Sequence, residues 1–542
     1  MTASHHAVNE INLATAFDAI AMVIPERECL VWRDRRLSWS TMAERTNRLA
    51  NLLASHDLGM HGDPATVSGW SSAQDHVALY LTNCNEYLEG MIGGYKARTA
   101  PFNVNYRYVA EELVYLFGDA APRAIIFHSQ YAPVLADVVS RLATPPVLLL
   151  QVDDDSGVPR LDGALAYDDA LAAASPDPPA TEPSPDDLYL VYTGGTTGYP
   201  KGALWRQADF VRSALGIGAS VDELVAAAPR STLRALPAPP LMHGAAHWNA
   251  LSCWLAGGTV VLQAHPDRLD PDDVLATVER ERATSLLIVG DAFARPLLET
   301  QRTNHYDLSS LRHVISGGAI FTAALKQAWV DEVPSLRIVD ILGSSESGRQ
   351  GVASGTGGAT FAPSPTAVVL SEDLSRRLSP ADRGEIGWLA QTGAMPRGYL
   401  ADRAKTERTF PVIEGVRYAV AGDRALIRDD GSIELLGRES VTINTGGEKV
   451  FAEEVEQAIK HHPDVLDALV VGRPSESWGQ EVVAVVHMRA GTEIADDELR
   501  DVCAGHVARY KIPKAIIRVD AISRSASGKP DYVWAAQVAT SA

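Results

Sequence analysis

The sequence predicts an α/β protein. A large N-terminal domain of α/β sheet layers ends in a β-rich subdomain, and a small α+β C-terminal domain follows. Three observations carry this. Short apolar runs of strand length alternate with helical patterns through the first 340 or so residues, the signature of layered α/β architecture with parallel sheet. Several of those runs end in clusters of Gly, Ser and Thr. From about residue 361 the texture changes to short strands with turn signals, and the last stretch forms a compact α+β unit of about a hundred residues, a size that suits a separate domain.

Taken in order, residues 10–56 read as a helix, the hairpin-like Glu28–Ser38, and a helix from about Ser40. His76–Leu81 is a buried strand and Glu86–Ala97 a helix. Pro101 to Tyr106 (PFNVNY) reads as a turn into the helix around Ala110–Gly118. Ala124–His128 and Val147–Val152 are strands. The Pro- and acid-rich 175–187 is an exposed connector. Leu188–Tyr192 is a buried strand, and Leu236–Met242 is another, ending at His243-Gly244. Thr259–Gln263, Ser285–Val289, His313–Ser316 and Leu336–Leu342 continue the pattern, with a helix at Asp272–Arg282 that begins with acidic residues as the helix dipole favours. In the β-rich part, strands are expected at Thr366–Leu370, Glu385–Ala390, Arg417–Val420, Ala425–Arg428 and Ser432–Leu436. The C-terminal unit reads as helix Ala452–His461, strands Ala468–Gly472 and Glu481–Arg489, helix Asp496–Ala508 and strand Lys514–Val519. The division is residues 1–436 and 437–542.

The chain has 542 residues, 46% hydrophobic and 21% charged, ample for more than one core. Its formal net charge of −20 argues against nucleic acid or an anionic membrane as partner. The four cysteines are scattered without a C-x-x-C pair, which points to a reducing, cytoplasmic setting. The first ten residues carry no basic-then-apolar leader pattern, and no apolar run has the length of a transmembrane segment. The oligomeric state stays open, and a homodimer is admitted.

The chemistry centres on LYLVYTGGTTGYPKG, residues 188–202. A strand runs into Thr193, Gly194, Gly195, Thr196, Thr197 and Gly198 and closes at Lys201. Glycines let backbone N–H groups approach an anion, hydroxyls add donors, and the lysine adds charge. The P-loop pattern fails, because Lys201 follows Pro200 and precedes Gly202. A surface turn without ligand is the competing local reading. Gly290-Asp291, Gly317-Gly318-Ala319 and Gly343-Ser344-Ser345-Glu346-Ser347-Gly348 stand at other strand ends, where open α/β sheets bind ligands. Any one of them alone is consistent with a plain turn.

Together these segments resemble the adenylate-forming superfamily of acyl-CoA synthetases, peptide-synthetase adenylation domains and luciferases. The likeness spans roughly residues 15–535, with the motifs in the family's order. Residues 192–202 resemble its phosphate loop, with Gly194 where Ser is usual. Ser316 to Ala319 resembles the adenine segment. Leu342 to Glu346 resembles the segment whose Glu holds Mg²⁺ and whose hydroxyl reaches the α-phosphate, with Leu342 for Tyr and Ser345 for Thr. Gly422-Asp423 and Gly437-Arg438 resemble the ribose-binding pairs, and Gly528-Lys529 the C-terminal catalytic lysine. Tyr510 to Pro513 and Glu453–Glu456 resemble further C-domain motifs. The resemblance implies ATP, Mg²⁺ and coenzyme A, with Glu346, Lys529 and His243 in catalytic roles. It also implies that the C-terminal domain is mobile about a hinge near Ser440, where the family usually has Asp or Lys; Val441 replaces the Asp that usually follows. Gly446 and Gly447 would then leave room for the pantetheine arm, a simple β-turn being the alternative.

The implied partner is a small-molecule carboxylic acid. Its pocket is expected from His243, Ala245, Ala246, Trp248, Asn249, Val289, Gly290, Gly317, Leu342, Gly343 and Ser347, with His243 as a gate or, alternatively, a core histidine. These residues are largely apolar and small, and no Arg or Lys stands out to pair with a second acid group. Residues 289–296, 443–450 and 527–534 resemble actinobacterial fatty-acid and sterol-side-chain acyl-CoA synthetases. The expected acid is therefore a bulky terpenoid or steroid type, or a medium-to-long-chain fatty acid. The alternative keeps the adenylation but loads a carrier-protein phosphopantetheine in place of free CoA.

Overall fold

The computed structural model describes residues 10–541 apart from 194–199, 358–359, 446–447, 476–477, 493, 508 and 526–527. Five sheets organise it. The widest has thirteen strands. Its parallel half is built from Glu28–Trp32, Thr259–Leu262, Arg234–Pro237, Ser285–Ile288, His313–Gly317 and Arg337–Ser344, each lying beside the next. A second, parallel sheet of five strands is centred on Ala124–His128, with His76–Tyr80 on one side and Leu148–Val152 on the other. These strands are apolar and buried along their length, as expected when helices cover both faces.

The β-rich region is continuous with the main sheet. Arg337–Ser344 turns back antiparallel into Gly348–Ser354, which pairs with Thr360–Pro363, which pairs with Ile433–Arg438. Its own core gathers Leu342, Phe361, Leu389, Ala425 and Ile433. The C-terminal sheet begins at Thr442 after a single 3₁₀ turn, Glu439–Val441, on which Ser440 lies. It has five strands and its own apolar cluster, including Ile443, Val455, Val470, Val482, Ala484, Val486 and Leu499.

Several expectations need correction. PFNVNY is not simply a turn, because Ala100–Asn103 is a strand parallel to His76–Tyr80. It lies at the sheet edge, where a proline's missing N–H costs no ladder bond. Leu236–Met242 is strand only as Arg234–Pro237, since Pro239 and Pro240 break the ladder. The two strands expected at Arg417–Val420 and Ala425–Arg428 are mainly one, Ala419–Ile427, which runs straight through Gly422-Asp423. Gly422 takes φ of +96°, the left-handed backbone a glycine tolerates, so the strand passes a residue pair that reads as a turn. The helices Gly244–Leu255, Gly290–Asn304 and Ala323–Glu332 follow the Gly-ended strands and complete the layers.

Candidate active site

The strand ends converge. Thr193 and Lys201 are cross-strand partners in the hairpin of Leu188–Thr193 and Lys201–Arg206, so both ends of the Gly/Thr segment are fixed side by side. Gly194, Gly195, Thr196 and Thr197 lie outside the described residues, as do Gly446 and Gly447. Buried Asn103 ties this hairpin to the segment before His243. Its amide donates to the Tyr192 carbonyl at 2.8 Å and the Met242 carbonyl at 2.7 Å, and its oxygen accepts the Tyr192 N–H at 2.8 Å.

Glu346 sits in the turn between Arg337–Ser344 and Gly348–Ser354. The hydroxyls of Tyr399 and Thr193 donate to its Oε1 at 3.0 and 3.4 Å. The turn is shaped from within. Ser344 Oγ accepts the Glu346 N–H at 3.3 Å and lies 2.9 Å from Ser347 Oγ, while the Trp205 indole donates to the Ser345 carbonyl at 2.9 Å. Gly343 has no room for a side chain, since a Cβ would come 2.2 Å from the Gly348 carbonyl across the hairpin.

Asp423 and Arg438 face one another across the antiparallel pair Ala419–Ile427 and Ile433–Arg438, and the guanidinium Nε donates to Asp423 Oδ1 at 3.1 Å. The fourteen residues between them are one strand return. Next to Arg438, Gly437 has φ of +138°, and a Cβ there would meet the Glu453 carboxyl at 2.2 Å. That carboxyl belongs to the C-terminal helix Ala452–Ile459 and accepts the Arg438 N–H at 3.3 Å. Burial, and then the neighbouring Glu456, push its pKa above the usual carboxylate range.

Lys529 reaches the same space from the C-terminal domain. Its Cε lies 3.8 Å from where a Cβ of Gly318 would be, and Gly528 packs against Val289 and Phe293. The turn that carries it is stapled to its own domain: Arg524 donates to the Gly528 carbonyl at 3.0 Å and pairs with Asp467 at 2.7 Å. The Lys529 side chain stays open to solvent along the cleft yet is hemmed in by protein. That confinement, with the Arg438 charge, lowers its pKa, while Glu346 and Asp423 oppose the shift. Among the described residues it makes no ion pair.

His243 precedes the helix Gly244–Leu255, and its buried Nε2 has no hydrogen-bond partner among the described residues. Burial, followed by the charge of Lys529, pushes its pKa down to about 3, so the ring is neutral at physiological pH. Trp248 is held by donating its indole N–H to the Tyr189 hydroxyl at 2.6 Å, and that hydroxyl also contacts His247. Ala246 is fully buried in the same helix, and Leu342 packs into the β-rich core. Gly290 (φ +53°) packs so closely on residue 320 that a Cβ would meet its carbonyl at 2.2 Å, and Gly290 N–H donates to Ser316 Oγ at 3.1 Å. Gly317 packs on the Ile341 carbonyl, with Gly318 and Ala319 following it towards Lys529.

Sequence reasoning missed Tyr399, Asn103 and Lys405. It also cast Lys201 as a cation of the loop. In the structure Lys201 Nζ lies 3.4 Å from Asp119 and 3.8 Å from Asp402.

Residues 17–399 match the AMP-binding enzyme family, and residues 454–529 match the AMP-binding enzyme C-terminal domain. The chain belongs to this family. It is 48% identical over 536 residues to the medium-chain acyl-CoA ligase Mig of Mycobacterium avium, covering 96% of this chain and 97% of that one. It is 37% identical to a 3-oxocholest-4-en-26-oate–CoA ligase of Rhodococcus rhodochrous, covering 97% and 95%. In fold it matches the anthranilate CoA ligase AuaEII in complex with anthranoyl-AMP, with a TM-score of 0.83 at 21% identity over 100% and 99% of the two chains.

Proposed function

We propose that this chain is an ATP-dependent acyl-CoA ligase that activates a hydrophobic carboxylic acid as its acyl-adenylate and then forms the CoA thioester. The observation that carries it is Lys529, from the C-terminal domain, lying against Gly318 of the body, where the charges of Glu346, Asp423 and Arg438 act on its ammonium. The full-length identity to acyl-CoA ligases supports the same reading. The medium-chain and steroid-acid relatives favour a medium-to-long-chain fatty acid or a bulky polycyclic acid.

In the first step the acid's carboxylate oxygen attacks the α-phosphorus of ATP, and the bond to pyrophosphate breaks. Two anions must approach, so the site must neutralise charge and align the reactants. Lys529 bridges carboxylate and α-phosphate. Asp423 accepts from the ribose hydroxyls, with Arg438 holding the carboxylate in place. His243, being neutral, lines the acid without drawing its charge away. The donor set suits Mg²⁺ carried in on the nucleotide: Glu346 offers one carboxylate, and no cluster of three His, Cys, Asp or Glu able to hold a metal occurs among the described residues. Bound there, Mg²⁺ supplies charge neutralisation at the phosphate oxygens. For the second step, rotation at Glu439–Val441 withdraws Lys529 and admits the CoA thiol, which attacks the acyl carbonyl and releases AMP. No helix among the described residues is long and apolar enough to cross a membrane. The four cysteines are free and buried, in keeping with a cytoplasmic enzyme.

The test is acid-dependent pyrophosphate release across fatty, steroid, diterpenoid and aromatic acids, with thioester measured in the presence of free CoA. Release with a hydrophobic acid and conversion to the CoA ester are expected. Adenylate without any CoA ester would overturn the second step and point to a carrier-protein thiol.

A further inference from the structure

Two lysines within reach of the Glu346 charge make no ion pair among the described residues. One is Lys529. The other is Lys405, on the short helix Arg403–Thr409 that follows Tyr399 in the chain. Its ammonium lies 4.4 Å from the centre of the Tyr399 ring. The hydroxyl of that same ring donates to Glu346 Oε1, which also accepts from Thr193 at the mouth of the Gly/Thr segment. Tyr399 in turn pairs with Ala203 on the strand that Lys201 begins. Lys405 is therefore tied through one aromatic ring to the Glu346 carboxylate and to the hairpin that carries the Gly/Thr segment. Lys201, one strand away, is engaged by Asp119 and Asp402. The two cations thus differ in what they have left to offer an anion. Lys201 has carboxylates within ion-pair distance already, whereas the ammonium of Lys405 rests on a ring face and has no carboxylate that close among the described residues. Lys405 is also half-buried, and burial lowers its pKa, with Glu346 and Asp402 opposing and Lys201 adding to the shift. A polyanion seated beside Glu346 would supply the missing counter-charge.

We propose that Lys405 binds the β- and γ-phosphates of ATP, the group that leaves as pyrophosphate, and that it rather than Lys201 is the principal cation of the phosphate clamp. This rests on the adenylation reading above. It predicts a residue needed in the half-reaction that contains pyrophosphate and idle in the half-reaction that does not.

The experiment compares Lys405→Gln, Lys405→Arg and Lys201→Gln in the full-length protein. It measures the KM for ATP, the inhibition constant of inorganic pyrophosphate, and thioester formation from synthetic acyl-adenylate and CoA. Lys405→Gln is expected to raise both the ATP KM and the pyrophosphate constant by about tenfold or more, as loss of one charge-assisted contact implies, with the thioester step within about twofold. Lys405→Arg should restore most of the loss, and Lys201→Gln should shift both constants by less than Lys405→Gln. Unchanged pyrophosphate inhibition in Lys405→Gln would overturn the proposal, as would a larger effect from Lys201→Gln. Equal loss in both half-reactions would also overturn it, because that is the pattern of a structural defect. Failure of the wild-type protein to release pyrophosphate with any acid would instead sink the adenylation reading itself.

Discussion

Glu346 and Lys529 face the same space and are held in opposite ways. Glu346 is fixed by the body: two hydroxyls reach its carboxylate, and its own turn is shaped by Ser344, Ser347 and the Trp205 indole. Lys529 is fixed only at its backbone, by a turn stapled to the C-terminal domain through Arg524 and Asp467, and its ammonium makes no ion pair among the described residues. On the proposed reading the body presents a preorganised nucleotide site, which lowers the reorganisation needed at the moment of reaction. The C-terminal domain presents a charge that can be withdrawn. A direct ion pair from Lys529 to Glu346 or Asp423 would hold the domain in one orientation and oppose the rotation that the second step needs.

The contrast can be broken at its ends. Lys529→Ala should reduce adenylation by about a thousandfold, the scale of a lost transition-state charge contact, as measured by ATP–pyrophosphate exchange. Asp423→Ala frees Arg438 and, on the proposed ribose-binding role of Asp423, should raise the ATP KM by about a hundredfold. Gly437→Ala touches no substrate, yet its Cβ would strike the Glu453 carboxyl that holds the Arg438 N–H. It should slow exchange by about tenfold while ATP binding to the body changes little, because the clash lies between the main-sheet strand Ile433–Arg438 and the C-terminal helix Ala452–Ile459. Tyr399→Phe deletes one hydroxyl on Glu346 and should cost only a few-fold, read as Mg²⁺-dependent exchange. The pH profile sharpens the same comparison. Lys529 must be protonated to work, and its pKa is lowered, so exchange should fall with rising pH at a point below the ordinary lysine value of 10.5. His243, at about 3, should contribute no limb near neutrality.

Much of the candidate site was legible because the proposed chemistry needs unusual clusters. Gly and hydroxyl residues at the ends of apolar runs, and Gly-Asp fifteen residues before Gly-Arg, have few structural reasons to recur in that order. The structure adds that some of these glycines also answer packing demands, since Gly290 and Gly343 each face a carbonyl with no room for a Cβ. What was not legible are single residues whose role comes from tertiary register. Asn103 lies in a run of Pro and Asn that reads as a turn, and only its place at a sheet edge aims its amide at both Tyr192 and Met242. Tyr399 and Lys405 look like an ordinary aromatic and a solvated helix lysine. Their relation to Glu346 depends on Gly398–Tyr399 pairing with the strand Lys201–Arg206, some two hundred residues earlier in the chain. Lys201, which the sequence singles out, is engaged by carboxylates from Asp119 and Asp402 that no local pattern announces.

The most direct test of this division of labour uses Lys529→Ala in both half-reactions. Exchange of pyrophosphate is measured with acid and ATP, and thioester formation with synthetic acyl-adenylate and CoA. The account predicts near-complete loss of exchange with the thioester rate within a few-fold of the wild-type value. Unimpaired exchange, or a thioester step lost to the same degree, would contradict it.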